Sequence, residues 1–190
     1  FYNSFDENDD RINSFIAGPQ YESDGFTPLI DSSFDDPDGE PINFTPHRIS
    51  LTHGYRQEGA RIGKYEIAIG SSNSMNNDFP IFRYADVLLM KAEALWRMNS
   101  DNPEALLLVN QIRQRSNAEP FTELTAENLL AERGREMFCE AWRRSDLIRF
   151  GKYNIERWEK PADPSLHVNI FPIPRDLVNT HPHLKQNPGY

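Results

Sequence analysis

Cysteine is nearly missing from this chain of 190 residues: Cys139 is the only one. A single thiol closes no internal disulfide and builds no CxxC metal or redox motif. It sits beside Phe138 in a helical pattern, with no Cys–His pair close in sequence, so a buried, inert thiol is expected. Long hydrophobic runs are also lacking. The most apolar stretch, residues 87 to 90, is far shorter than the roughly 20 residues a membrane-spanning helix needs. No basic, apolar, small-residue signal opens the chain at Phe1, so any export signal or lipid anchor is expected upstream. Basic residues are in deficit, with 20 Lys and Arg against 29 Asp and Glu and a net charge of −9. That balance repels phosphate backbones and excludes nucleic acid as a natural partner.

What is present argues for a folded piece. Hydrophobic residues make up 38%, aromatics 12% and charged residues 26%. Aromatics supply the buried area that offsets chain ordering. Residues 1 to 80 are crowded with Gly, Pro, Asn, Asp and Ser and carry no sustained helical stripe. Short strands are expected at 65–69 and 48–51. The run Asp35-Asp36-Pro37-Asp38-Gly39-Glu40 reads as a tight turn. Its acids faintly resemble a calcium loop, but the twelve-residue pattern is absent and a solvated turn is expected. Asp6, Glu7, Asp9 and Asp10 are read the same way.

Helical spacing begins after Pro80. Ala85, Leu88, Ala92 and Leu95 mark one helix to about Met98, with Ile81, Tyr84 and Trp96 beside the stripe. Asn99 to Asn102 interrupt it. Pro103 suits the first position of a second helix carrying Ala105, Leu106, Val109 and Ile112. Such a hairpin is the unit of tetratricopeptide-like arrays, which generally need about three repeats for stability. Further helices are therefore expected upstream or from a partner chain. A third helix is expected after the N-cap Thr125, running through Leu129, Leu130, Met137, Phe138, Ala141 and Trp142 toward Phe150, with Gly151 as its stop. Trp96 and Trp142 read as packing residues. Pro174 is placed to open one short terminal helix.

The third helix stacks Glu132, Glu136 and Glu140 at four-residue spacing, which is destabilising without cations. Arg113 and Arg115 are placed to reach across from the second helix. Arg133, Arg143, Asp146 and Arg149 extend the same charged pattern, with Arg144 beside it. A di-metal site in a helical bundle wants Glu-x-x-His motifs, and no His lies between His53 and His167. No metal and no other cofactor is expected. Interleaved arginines hold carboxylates ionised, which suits ion pairing more than proton transfer.

Several motifs then point one way. Arg83-Tyr84-Ala85-Asp86-Val87-Leu88-Leu89-Met90-Lys91-Ala92-Glu93-Ala94 resembles the R-Y-A-D/E-V-L-L-x-x-A-E-A helix of SusD/RagB proteins. Asn110-Gln111-Ile112-Arg113-Gln114-Arg115 is similar to their L-N-x-V-R-x-R segment. Glu132-Arg133-x-x-Glu136, followed by Glu140-x-x-Arg143-x-x-Asp146-Leu147-x-Arg149-x-Gly151, resembles their E-R-x-x-E…E-G-x-R-x-x-D-L-x-R-x-G helix. Phe171-Pro172-Ile173-Pro174 and Gln186-Asn187-Pro188-Gly189-Tyr190 are similar to the closing signatures. Asp36-Pro37-Asp38-Gly39, Phe44-Thr45 and Gly63-Lys64-Tyr65 add weaker matches. Ala141 departs from the family, standing where Gly is common.

The resemblance covers about residues 35 to 190 and implies the C-terminal portion of a longer protein. It implies a mostly α fold with long irregular loops: a tetratricopeptide-like hairpin, a long charged helix and a loop-rich N-terminal lobe with short strands. The expected division is a loop lobe at 1–80, a helical scaffold at 81–151 and a Pro-rich tail at 152–190. It further implies a non-enzymatic, lipid-anchored protein on the outer membrane that captures oligosaccharide for a SusC-like TonB-dependent transporter. The missing N-terminal part of the same protein would be its other partner. Sugar recognition needs flat apolar faces and planar polar groups, which selects Tyr21, Phe26, Phe34, Tyr55 with Arg56, and Trp158 as candidate ligand contacts. Peptide binding, a bare scaffold, or hydrolysis by a close carboxylate pair are the rival readings.

Overall fold

The computed structural model describes residues 1–32, 39–52, 54–68, 70–72 and 74–190. Compactness divides the chain into Phe1–Glu140 and Ala141–Tyr190. The division falls inside the third helix that the sequence pattern carries to Phe150.

In the first unit, α1 (Tyr84–Met98) and α2 (Pro103–Arg115) form the expected hairpin. Pro103 opens α2 without wasting a donor, and the Asn102 side chain accepts from Glu104 N at 2.9 Å and Ala105 N at 3.3 Å. The third helix, α3 (Ala126–Met137), starts with a reciprocal cap: Asn128 N donates to the Thr125 hydroxyl, and Thr125 N donates to the Asn128 side chain. Leu89, Ala92, Ala105, Val109 and Leu129 are fully enclosed in the core these helices share. A buried Leu or Val stabilises by about 1.5–3 kcal/mol. Two polar clamps fix the α2–α3 connection. Trp96 donates its indole N–H to Leu124 O at 2.8 Å, and Asn110 exchanges two hydrogen bonds with the Phe121 backbone. Tyr84, Val87, Met98 and Leu107 stay exposed, since one hairpin leaves apolar surface uncovered.

The long charged helix is not continuous. After Met137 the chain turns extended at Phe138 (φ −62°, ψ 145°), and Cys139 and Ala141 both take left-handed φ values of 63°. The cause is tertiary. Lys64 Nζ accepts the role of a C-terminal cap, donating to Glu136 O at 2.8 Å and Phe138 O at 3.0 Å, and Arg83 also donates to Glu136 O. These carbonyls would otherwise need donors from a further helical turn. Phe138 leaves the helix to stack on Phe15, with centroids 4.9 Å apart and planes within 11°, while Phe5 meets both rings edge-on. Cys139 is accordingly exposed and non-helical, contrary to expectation. Partial desolvation, with Glu140 beside it, raises its thiol pKa and keeps it protonated.

The residues before α1 form small paired segments. β1 (Phe15–Ile16) runs antiparallel to β4 (Arg61–Ile62), with Phe15 opposite Ile62. β2 (Gly18–Pro19) pairs with β3 (Asn43–Phe44), with Gly18 opposite Phe44. The described residues of the two expected strands, 48–51 and 65–68, are irregular. Strand formation depends on a partner across the ladder more than on local propensity, and Arg61–Ile62 has one. The expected turn's Asp35, Asp36, Pro37 and Asp38 lie outside the described residues.

In the second unit, α4 (Arg143–Arg149) ends at Gly151, whose φ is 67°. A short helix, α5 (Arg175–Thr180), follows Pro174 as expected. The closing residues are stitched to the segment before α5. Gln186 exchanges two 2.8 Å hydrogen bonds with the Ile173 backbone, Asn187 donates to Phe171 O, and Tyr190 donates to Ile170 O. Gly189 is required here: a Cβ would lie 2.5 Å from that of His167, and its φ is 98°.

Candidate functional site

Residues 21 to 28 form a self-contained turn. Tyr21 pairs with Pro28, Glu22 N donates to Thr27 O at 2.8 Å, and Gly25 takes a φ of 75°. The Asp24 carboxylate braces the tip, accepting from the amides of Phe26 and Thr27 at 2.9 Å and from the Thr27 hydroxyl at 2.6 Å. Those bonds, from Thr27 first, hold the carboxyl below its ordinary pKa. At that fixed tip Phe26 is 86% exposed, and Tyr21 is 48% exposed. A large apolar ring facing water on a braced backbone gains nothing from burial.

Tyr55 occupies a second such place, 77% exposed, with its carbonyl accepting from Glu58 N at 3.0 Å. Arg56 Nε lies 3.4 Å from the buried carboxylate of Asp31, and its carbonyl accepts from Arg61. The Arg61 guanidinium lies over the Phe44 ring at 4.3 Å. Arg56 is thus tied into the lobe, and both it and Tyr55 are exposed. A loop concavity of about 370 Å³, lined by Glu66, Ala68, Ser71, Met75, Asn76 and Asn77, adds carboxylate and amide groups. No sequence signal beyond Asn content marks it.

Trp158 is 54% exposed in the second unit. Phe34 lies outside the described residues. Among the described residues, no ring contact joins Tyr21, Phe26 or Tyr55 to one another, so the first-unit candidates are separate tips. Trp96 and Trp142 are half-buried. No cluster of three or more His, Cys, Asp or Glu side chains among the described residues could hold a metal ion.

The densest chemistry is the charge lattice on α3. Glu132 accepts from Arg11 and Arg113 at 2.7 Å and from Arg135 at 2.9 Å. Glu136 accepts from Arg115 at 2.8 Å, Arg11 at 3.0 Å, and Arg83. Glu140 accepts from Arg83 at 2.7 Å and from Lys64. Arg133 donates to Asp86 of α1 at 3.1 Å. Burial alone raises the Glu136 pKa, but hydrogen bonds and charge from Arg115 and Arg83 outweigh it and set the value at about 2. Burial likewise opposes ionisation of Glu140, and Arg83 with Lys64 again lowers it. Enclosed, multiply bonded carboxylates held below their ordinary pKa do not shuttle protons near neutral pH. In the second unit, Asp146 accepts from Arg149 at 2.7 Å, Arg143 is exposed, and Arg144 donates to Val168 O at 2.8 Å.

Half of this lattice escapes sequence reasoning. Arg11 sits at its centre, bound also to Asp9 at 2.7 Å. Asp9 is buried and caps a 3-10 turn (Asp10–Ser14), and Asp6 pairs with Arg113, so these two depart from the solvated run expected, while Glu7 and Asp10 are exposed. Arg135 lies between Arg133 and Glu136, whereas Arg11 and Lys64 come from far along the chain. The only available signal was the three unneutralised glutamates.

The geometry therefore defines a class: a helical scaffold locked by buried ion pairs, bearing exposed aromatic rings on braced turns. The chain belongs to the SusD family, whose family model matches residues 1–169. It is 33% identical over 124 residues to the starch-binding protein SusD of Bacteroides thetaiotaomicron, covering 60% of this chain and 22% of that protein. A SusD-like protein of Formosa agariphila is 35% identical over 112 residues, covering 52% and 22%. Among solved structures, surface glycan-binding protein A from Bacteroides uniformis superposes with a TM-score of 0.66 at 21% identity, covering 98% of this chain and 39% of that one. A SusD superfamily protein from Parabacteroides distasonis gives 0.62 at 23% identity, covering 100% and 41%. The chain spans about a fifth of the length of these two relatives and about two fifths of the solved structures. Among the described residues, no helix is long and apolar enough to cross a membrane.

Proposed function

We propose that this chain belongs to a cell-surface glycan-binding protein that captures oligosaccharides without cleaving them. It hands them to a SusC-like TonB-dependent transporter in the outer membrane, where an upstream lipid anchor holds it. The observation that carries the reading is Phe26, a phenyl ring 86% exposed on a turn braced by Asp24. A flat ring in water stacks on the C–H face of a pyranose, and nearby amides and carboxylates take its hydroxyls. Membership of the SusD family supports it, as do relatives named for starch and surface glycans. Glu136 and Glu140 are each ion-paired, which suits a scaffold and not the proton transfer that hydrolysis needs.

Calorimetric titration with a panel of soluble oligosaccharides tests the proposal, run on wild type, Phe26→Ala and Tyr55→Ala. Binding without release of reducing ends, weakened about tenfold in either variant, is expected. Binding that survives both changes moves the ligand contacts elsewhere. Peptide binding with no sugar binding overturns the glycan reading.

A further inference from the structure

We propose that the turn at residues 157 to 160 is a second carbohydrate contact, with Trp158 as the stacking platform for one pyranose ring. This rests on the glycan-binding reading above and goes beyond it, because Trp158 lies in the compact unit Ala141–Tyr190 and the Phe26 and Tyr55 tips lie in the other. Of the three tryptophans, Trp96 and Trp142 are half-buried and Trp158 is exposed. Its backbone is fixed. Arg157 and Lys160 exchange two backbone hydrogen bonds of 2.9 Å, closing a loop of two residues, Trp158 and Glu159.

Glu159 holds a φ of 52°, in the left-handed region that favours glycine. The turn is also braced from outside. Lys160 pairs with Asp163 at 2.9 Å, Asp163 N donates to Asn154 O at 2.9 Å, and the Arg157 guanidinium lies 5.5 Å from the Tyr153 ring centroid. A rigid indole pays little ordering entropy on binding, which favours a ligand that offers one flat face. A single ring among charged neighbours is too small for a protein interface, which needs several hundred Å² per partner. It matches one sugar ring.

Affinity electrophoresis in gels carrying a polysaccharide, together with indole fluorescence on adding a bound oligosaccharide, tests the site in wild type, Trp158→Ala, Trp158→Tyr and Phe26→Ala. The expected result is about tenfold weaker retention of Trp158→Ala, near-normal retention of Trp158→Tyr, and loss of the ligand-induced emission change in Trp158→Ala. Equal melting temperatures of wild type and the Tyr variant confirm that the fold is intact. Wild-type retention of Trp158→Ala, with retention still lost in Phe26→Ala, overturns the second contact and leaves the glycan reading standing. Absence of sugar binding by wild type overturns both.

Discussion

The charge lattice of α3 and the aromatic tips of the loops invert the usual distribution of residues. Inside, Glu132, Arg133 and Asp86 are almost fully enclosed; outside, Phe26 and Tyr55 face water. Buried charges survive only when paired and hydrogen-bonded, so each lattice member depends on the others. Exposed rings on braced turns depend on nothing beyond their own backbone. The first arrangement spends stability to fix one scaffold geometry, and the second leaves side chains free to change with the ligand. The motifs that carry the family resemblance fall mostly in the first.

The sharpest way to break this contrast is Glu132→Ala. It leaves Arg11, Arg113 and Arg135 without their shared carboxylate. A loss of about 3–5 kcal/mol is expected, read as a lowered midpoint in urea unfolding. A normal midpoint would show that the lattice is dispensable.

Acid gives the next largest effect. A carboxyl whose folded pKa is depressed adds stability that is fully present above its unfolded value and is lost as pH falls through the folded one. Glu136, near 2 against 4.5, therefore contributes about 3 kcal/mol that disappears between roughly pH 4.5 and 2. Unfolding free energies across that range should fall steeply in wild type and less so in Glu136→Gln.

Ala141→Gly sharpens the comparison at the point where α3 ends. Ala141 holds a φ of 63° where the family commonly has glycine, so the change should stabilise by about 1 kcal/mol in thermal or urea melts. Destabilisation would mean that the left-handed turn is not what the position requires. The smallest effect belongs to the tips. Phe26→Ala and Tyr55→Ala should move stability by no more than about 0.5 kcal/mol while weakening ligand binding, so a cooperative loss of stability would assign these rings to packing.

Much of the scaffold was legible in residue order. Asn102-Pro103 marked the start of α2, and Thr125 the start of α3, because caps act within one helical turn. Arg113 and Arg115 were legible as partners of the stacked glutamates because helical spacing fixes which residues share a face. The break after Met137 was not legible, since the apolar spacing carried the helix through Ala141 toward Phe150. Nor were the strands at Arg61–Ile62 and Phe15–Ile16, since each has a meaning only opposite the other.

By itself the sequence determined the hairpin, the caps, the acidic character and the family. Each follows from periodicity, local hydrogen bonding, composition or motif order. Only the tertiary structure decided that Arg11 and Lys64 complete the lattice, that α3 stops where Lys64 and Arg83 take its carbonyls, and that Asp9 is inside while Cys139 is outside. Those outcomes rest on contacts between residues far apart in the chain, where no local spacing records which cation meets which carbonyl.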